Sequence, residues 1–391
     1  MIVRHFLSWV RTAPAGERAE ATRALARALL FSDLNFDDRA AAEGALLMML
    51  DDGSPMVRQA MAEVFSNRDD APAEIVRALA GDQFAIAAPL LEQSPLLLDA
   101  DLVDIAATGD CDVQCAIARR QQLPAPVSAA IAEVGHPAAC LELIENPGAE
   151  IAPMSLDRIV ERYGHVAAIR EALLDGGNLP SATRLALVAK LSGVLVEFVT
   201  SRQWLSVERA SRVADEACER SMVNIAASSD GVDLGRLIVH LRASGQLTPG
   251  LLLRSLLSGR VELLHAALVE LTGLSDQRVA GILDEPGGAG LNALLSRAGF
   301  PASIWPAFRI ALEAVHEIGF IDTYGGVARL RSRVIERVLT SCAEDRETSE
   351  ALLSLLRRYQ TESAREEARL YCDELVADDQ VAAPDHRSIA A

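Results

Sequence analysis

Between Arg242 and Pro301 the chain reads RASGQLTPGLLLRSLLSGRVELLHAALVELTGLSDQRVAGILDEPGGAGLNALLSRAGFP, the most distinctly patterned part of the sequence. Gly245 is placed to close one helix, and Thr248-Pro249 to open the next as N-cap and first helical residue. Leu264, Ala267, Leu268 and Leu271 recur at i, i+3, i+4 and i+7, and so do Leu291, Leu294, Leu295 and Ala298. The pattern predicts four short helices joined by tight glycine-bearing turns. Each has one apolar face, so the four must close over a common core.

Composition extends this architecture to the whole chain. Half of the 391 residues are apolar, yet only 4% are aromatic, so the core must be built from Leu, Ala, Val and Ile. Good helix formers abound, and β-branched alternation is nowhere sustained over a strand length. The length exceeds that at which a single core keeps growing, which predicts two domains.

On the N-terminal side, amphipathic segments at 1–11, 16–31 and 36–50 lead to the turn Asp51-Asp52-Gly53-Ser54-Pro55. Val57, Ala60, Met61 and Val64 then form a helical stripe, and comparable helices are predicted to start near residues 84, 112, 137 and 165. Partner helices between them carry Ile75/Leu79, Leu102/Ile105/Ala106, Val127/Ala130/Ile131/Val134 and Leu156/Ile159/Val160/Tyr163. The turns recur as Gly81-Asp82, Gly109-Asp110, Gly135-His136 and Gly164-His165. A two-helix unit with a step of about 28 residues cannot bury its own stripe, whereas stacked units make a continuous core.

The expectation is therefore an all-α protein. An α-solenoid of short HEAT-like helical repeats with a helical N-terminal cap occupies 1–180, and a second all-helical domain occupies 181–343. A charged helix over 344–377 and a disordered tail over 378–391 follow. Asp175-Gly176-Gly177-Asn178-Leu179-Pro180 marks the boundary, with Gly supplying the helix stop and Pro following it. After it, Ser181 is placed to cap a long helix to about Thr200, and Trp204–Ala227 forms another. Beyond Gly325-Gly326, the arginines Arg329, Arg331, Arg333 and Arg337 are expected to pair with Glu362, Glu366 and Glu367.

The order of these features resembles a bacterial family catalogued as domain of unknown function 2336, with HEAT-like repeats ahead of a helical conserved region. Two passages carry the resemblance: DADLVDIAATGDCDVQCAIARRQQLPAPVSAAIAEVGHPAACLELIENPGAEI, and GQLTPGLLLRSLLSGRVELLHAALVELTG with GLNALLSRAGFP. It covers roughly residues 50 to 320. It implies a helical fold and brings no activity, cofactor or site residue with it.

Net charge is -18, and it is unevenly spread. Residues 1–180 hold 14 Arg against 27 Asp and Glu, residues 181–343 hold 17 basic against 16 acidic, and the remainder holds 6 against 12. An acidic surface is repelled by phosphate backbones and anionic lipid, so neither nucleic acid nor membrane is an expected partner. The opening MIVRHFLSWV makes a poor signal peptide, with Arg4 and His5 inside its apolar run. Six cysteines in a chain of this length do not make a disulfide framework, and a cytoplasmic location is expected. Lys190 is the one lysine, which a compositional bias towards arginine explains.

Four constellations invite a chemical reading. Cys111 and Cys115 share a helix face at i, i+4, and Cys140 with His136 completes a four-ligand set for a soft metal; cysteine is equally a small core residue, and core packing is the expectation. Asp284-Glu285-Pro286-Gly287-Gly288-Ala289-Gly290 is a glycine-rich loop ahead of a helix, but no strand precedes it and no lysine follows, so it reads as a structural turn. The helices TPGLLLRSLLSG and RVELLHAALVELTG mimic a DNA-reading pair, yet the second presents Glu262, His265 and Glu270. Arg254, Arg260 and Arg297 flank the apolar faces of the four-helix stretch, where they are candidates for contact with an anion or an acidic partner.

No catalytic motif emerges, and no cofactor or metal is expected. The favoured reading is a non-enzymatic protein–protein interaction scaffold or regulatory adaptor in bacterial signalling, whose partner is another protein or a second copy of itself. The alternative is a sensor of an anionic ligand or nucleotide that uses the second helical domain. An unrecognised enzyme is third.

Overall fold

The computed structural model describes residues 2–177, 179–285, 287, 289–318, 326–344 and 350–382. The protein is all-α: 22 α-helices and a short 3-10 turn at Ala302–Ile304 make up the regular structure of these residues. Their one β-type pairing is a single bridge between Leu123 and Ala149. The chain forms two compact units, Met1–Val194 and Leu195–Ala391.

The first unit contains α1 (Ile2–Val10), α2 (Ala15–Phe31), α3 (Phe36–Met49), α4 (Pro55–Phe65), α5 (Ala73–Ala80), α6 (Phe84–Gln93) and α7 (Asp99–Thr108). It continues with α8 (Cys111–Ala118), α9 (Ala125–Val134), α10 (Pro137–Glu145), α11 (Pro153–Tyr163), α12 (Ala167–Asp175) and the start of α13 (Ser181–Ser201). In one layer α2, α4, α6, α8, α10 and α12 each pack on the next, and in a second layer α9 packs against both α7 and α11. Val57, Ala60 and Met61 of the expected stripe are fully buried, and so are Ile75, Leu79, Ile131, Ile159 and Val160. Val134 departs from its stripe: as the last residue of α9 it lies beyond the packed turns and is exposed.

The spacing of the helices also sets a recurring polar device. A helix leaves its last carbonyls without intrahelical donors, and here a side chain from further along supplies them. Arg120, only 9% exposed, donates to Leu91 O and Ser94 O at 2.6 Å each. Asn146 donates to Ala118 O and Arg120 O at 2.7 Å each. Arg162 donates to Ala132 O at 2.7 Å and Gly135 O at 2.9 Å. These bonds reach back 26 to 30 residues, one helix-pair step, so each unit closes the carbonyl end of a helix in the unit before it. Gly148 serves the same packing, because a Cβ there would stand 1.9 Å from Gln121 O.

The Gly176-Gly177 break stops α12 at Asp175, and α13 starts at Ser181. The two compact units divide further on, inside α13. The second unit continues with α14 (Val207–Ala227), α15 (Gly231–Ala243), α16 (Pro249–Leu257), α17 (Val261–Thr272), α18 (Asp276–Asp284) and α19 (Ala289–Arg297). Then come α20 (Trp305–Ile318), α21 (Gly326–Glu344) and α22 (Glu350–Ala382).

The stretch from Arg242 to Pro301 folds as its punctuation predicts. Thr248 Oγ1 accepts from Leu251 N at 3.2 Å, which caps α16, and Gly245, Gly259, Gly273 and Gly299 take positive φ of 66 to 82° after their helices. α16 is the hub of the unit. Every residue from Leu251 to Leu257 is buried, and the helix touches α14, α17, α20 and α21. Among the described residues no helix is long and apolar enough to cross a membrane.

Candidate functional site

The end of α13 presents the clearest exposed feature. Gln203 N donates to Thr200 O at 2.9 Å and Trp204 N donates to Val199 O at 3.0 Å, the paired bonds of a Schellman motif with Gln203 at the left-handed position. Glycine is the usual occupant there; Gln203 holds φ of 59° and is the one non-glycine with positive φ among the described residues. The motif brings the residue after the turn back against the last helical turn. Trp204 accordingly meets Phe198 edge to face, with ring centroids 5.6 Å apart. The Arg202 guanidinium lies 4.4 Å from the Phe198 ring centre and 5.6 Å from that of Trp204.

These rings face solvent. Trp204 is 63% exposed and Phe198 43%, and Leu195 and Val207, each three residues away along the chain, are also exposed apolar residues. Sequence reasoning did not single this cluster out. Its signal was one of only three tryptophans, placed directly after a long helix in an aromatic-poor chain.

The three arginines chosen from the sequence are not brought to one place. Arg254 is 5% exposed, with its Nη2 atom 2.9 Å from Glu362 Oε2 and 3.4 Å from Glu219. Its guanidinium also lies 4.5 Å from the Tyr359 ring centre. Burial pushes the Tyr359 phenol above its ordinary range, an effect that Arg254 opposes. Arg260 is an exposed residue preceding α17 and lines a different cavity, between α15, α17 and α18. Arg297 donates through Nε to Thr272 O at 2.9 Å, closing the end of α17.

The remaining constellations resolve individually. Cys115 and Cys140 are buried core residues. Burial, then the neighbouring Cys111, pushes the Cys115 thiol up to about 11, and burial pushes Cys140 to about 11 as well. His136 is exposed, and its backbone N donates to Gln114 Oε1 at 2.9 Å. No group of three or more His, Cys, Asp or Glu arranged to hold a metal occurs among the described residues. In the would-be DNA-reading pair, Arg242 binds Glu270 at 2.7 Å and His265 stands 3.5 Å from Asp276, so carboxylates occupy that face.

Of the arginines on α21, Arg331 pairs with Glu366 at 3.0 Å as expected. Arg337 turns instead to Glu317 on α20, at 2.6 Å, and Glu362 is taken by Arg254. The side chain of Arg329, and Pro286 and Gly288 of the glycine-rich loop, lie outside the described residues.

A family model described as "Uncharacterised protein conserved in bacteria (DUF2336)" matches residues 86–368. No curated protein and no solved structure matches the chain.

Proposed function

We propose, for a chain that belongs to the uncharacterised bacterial family DUF2336 and inherits no assigned activity from it, that its work is non-catalytic: it is a protein–protein interaction scaffold or regulatory adaptor. The observation that carries this reading is the solvent-facing Phe198–Arg202–Trp204 cluster. Trp and Arg dominate the few residues that supply most of the energy of protein interfaces. A Schellman turn needs only one apolar contact behind it, which leucine would supply, so a largely exposed tryptophan exceeds what the turn requires.

Two further features support the reading. The layered helices of the first unit repeat a small module, an arrangement that elsewhere supplies long binding surfaces. The net charge of -18 favours a partner with a basic face and disfavours nucleic acid and anionic membrane. The partner is another protein, a second copy of the chain included. Six cysteines in a chain of 391 residues do not make a disulfide framework, which favours a reducing, cytoplasmic setting. The sensor alternative on Arg254, Arg260 and Arg297 lacks a shared site, since Arg254 is already committed to carboxylates.

Purification of the full chain from its bacterial source, with light scattering on the pure protein, tests the proposal. The expected outcome is a stoichiometric partner or a dimer mass that the Phe198→Ala/Trp204→Ala variant loses. A monomer that brings down no stoichiometric protein would contradict it.

A further inference from the structure

We infer that the cavity between α14, α16, α21 and α22 is a binding site for a compact dianion, a small compound recognised through a phosphate or pyrophosphate group. The cavity has a volume of about 590 Å³, within the range of small-molecule sites. Its charge is opposite to that of the chain around it. Arg220, Arg254, Arg331, Arg365 and Arg369 line it against Glu216, Glu362 and Glu366, whereas the whole sequence has 55 acidic residues to 37 basic.

The carboxylates do not use up this charge. Glu362 is bound to Arg254 and Glu366 to Arg331, while Arg220, Arg365 and Arg369 have no carboxylate partner among the described residues. They come from α14 and α22, far apart in sequence, and packing brings them to one space.

Arginine's planar fork matches phosphate oxygens, so the exposed guanidinium groups of Arg220, Arg365 and Arg369 fit an oxyanion. They do not fit a stacked base: among the described residues Tyr359 is the one aromatic that lines the cavity, and it is buried with Arg254 and Arg358 against its ring. Among the described lining residues, five arginines against three glutamates match a ligand bearing two negative charges.

Calorimetric titration and thermal shift of the full chain, with inorganic phosphate and pyrophosphate as probes at low ionic strength, test the site. Pyrophosphate is expected to bind and raise Tm. Arg220→Ala/Arg365→Ala/Arg369→Ala should weaken that binding by roughly tenfold or more, with the Tm of the ligand-free protein unchanged because these side chains are unpaired and exposed. Co-sedimentation with phosphatidate vesicles assigns the phosphate to a lipid headgroup if it needs the same arginines, and to a soluble compound if it does not occur. Absence of binding by either probe, or binding that the triple variant retains in full, overturns the inference.

Discussion

Arg254 and Glu362 stand 108 residues apart in sequence, yet their charged groups meet at 2.9 Å in the second unit. The contact ties the hub helix α16 to the last helix, α22, with Tyr359 packed under the guanidinium. Breaking a buried pair from one side leaves an uncompensated charge, which costs about 3–5 kcal/mol. Arg254→Ala is expected to destabilise by the lower part of that range, because Glu219 and Glu362 are partly solvated. In a double-mutant cycle read by urea denaturation, Glu362→Gln should recover part of the loss. Additive effects of the two changes would show that the pair contributes nothing.

Arg120 gives the corresponding prediction for the first unit. Its guanidinium closes two carbonyls at the end of α6, and burial pulls its pKa below the ordinary arginine value. Arg120→Ala leaves Leu91 O and Ser94 O unsatisfied and is expected to cost about 2–4 kcal/mol. Arg120→Lys should restore less than half of this, since one ammonium does not reproduce the two-pronged geometry. Chemical denaturation of the three proteins decides it; equal stability of wild type and Arg120→Ala would refute the capping account.

At the turn after α13, Gln203 holds a left-handed conformation that glycine adopts without strain. Gln203→Gly is expected to raise stability by about 1 kcal/mol, and Gln203→Val to lower it. If relief of strain also loosens the Phe198–Trp204 contact, tryptophan fluorescence will report greater solvent exposure at position 204.

How much of this was legible beforehand follows the range of the interactions. Thr248-Pro249 and the turn glycines act within a few residues, so the helices they bound could be read directly from the chain. The stripe of Val57, Ala60 and Met61 likewise needs only helical periodicity. The sequence offers Arg254 beside an apolar face as a candidate for contact with an anion or an acidic partner, and it does not show Glu219 and Glu362, which meet the guanidinium from helices distant in sequence. For Arg337 the sequence suggests Glu362, Glu366 and Glu367 on α22, whereas Glu317 on α20 takes it, and no local pattern distinguishes those carboxylates. The approach of Arg220 to Arg365 and Arg369 was invisible for the same reason.

The cysteines separate by burial. With folded-state pKa values of about 11, Cys115 and Cys140 are protonated at pH 8 and become nucleophilic thiolates only as pH approaches that value. Cys372 is exposed. A thiol reagent at pH 8 is expected to modify Cys372 within minutes and to reach Cys115 and Cys140 only after denaturation, as peptide mass mapping would show. Rapid native labelling of Cys140 would contradict its place in the core.

The most direct test of the interaction role places a photo-crosslinking amino acid at Trp204 in the full chain, inside its native cells, with the exposed Val232 as control position. The account predicts one predominant protein adduct at position 204, to a partner or to a second copy of the chain, that position 232 does not give. Position 204 yielding no adduct beyond that of position 232 would contradict it.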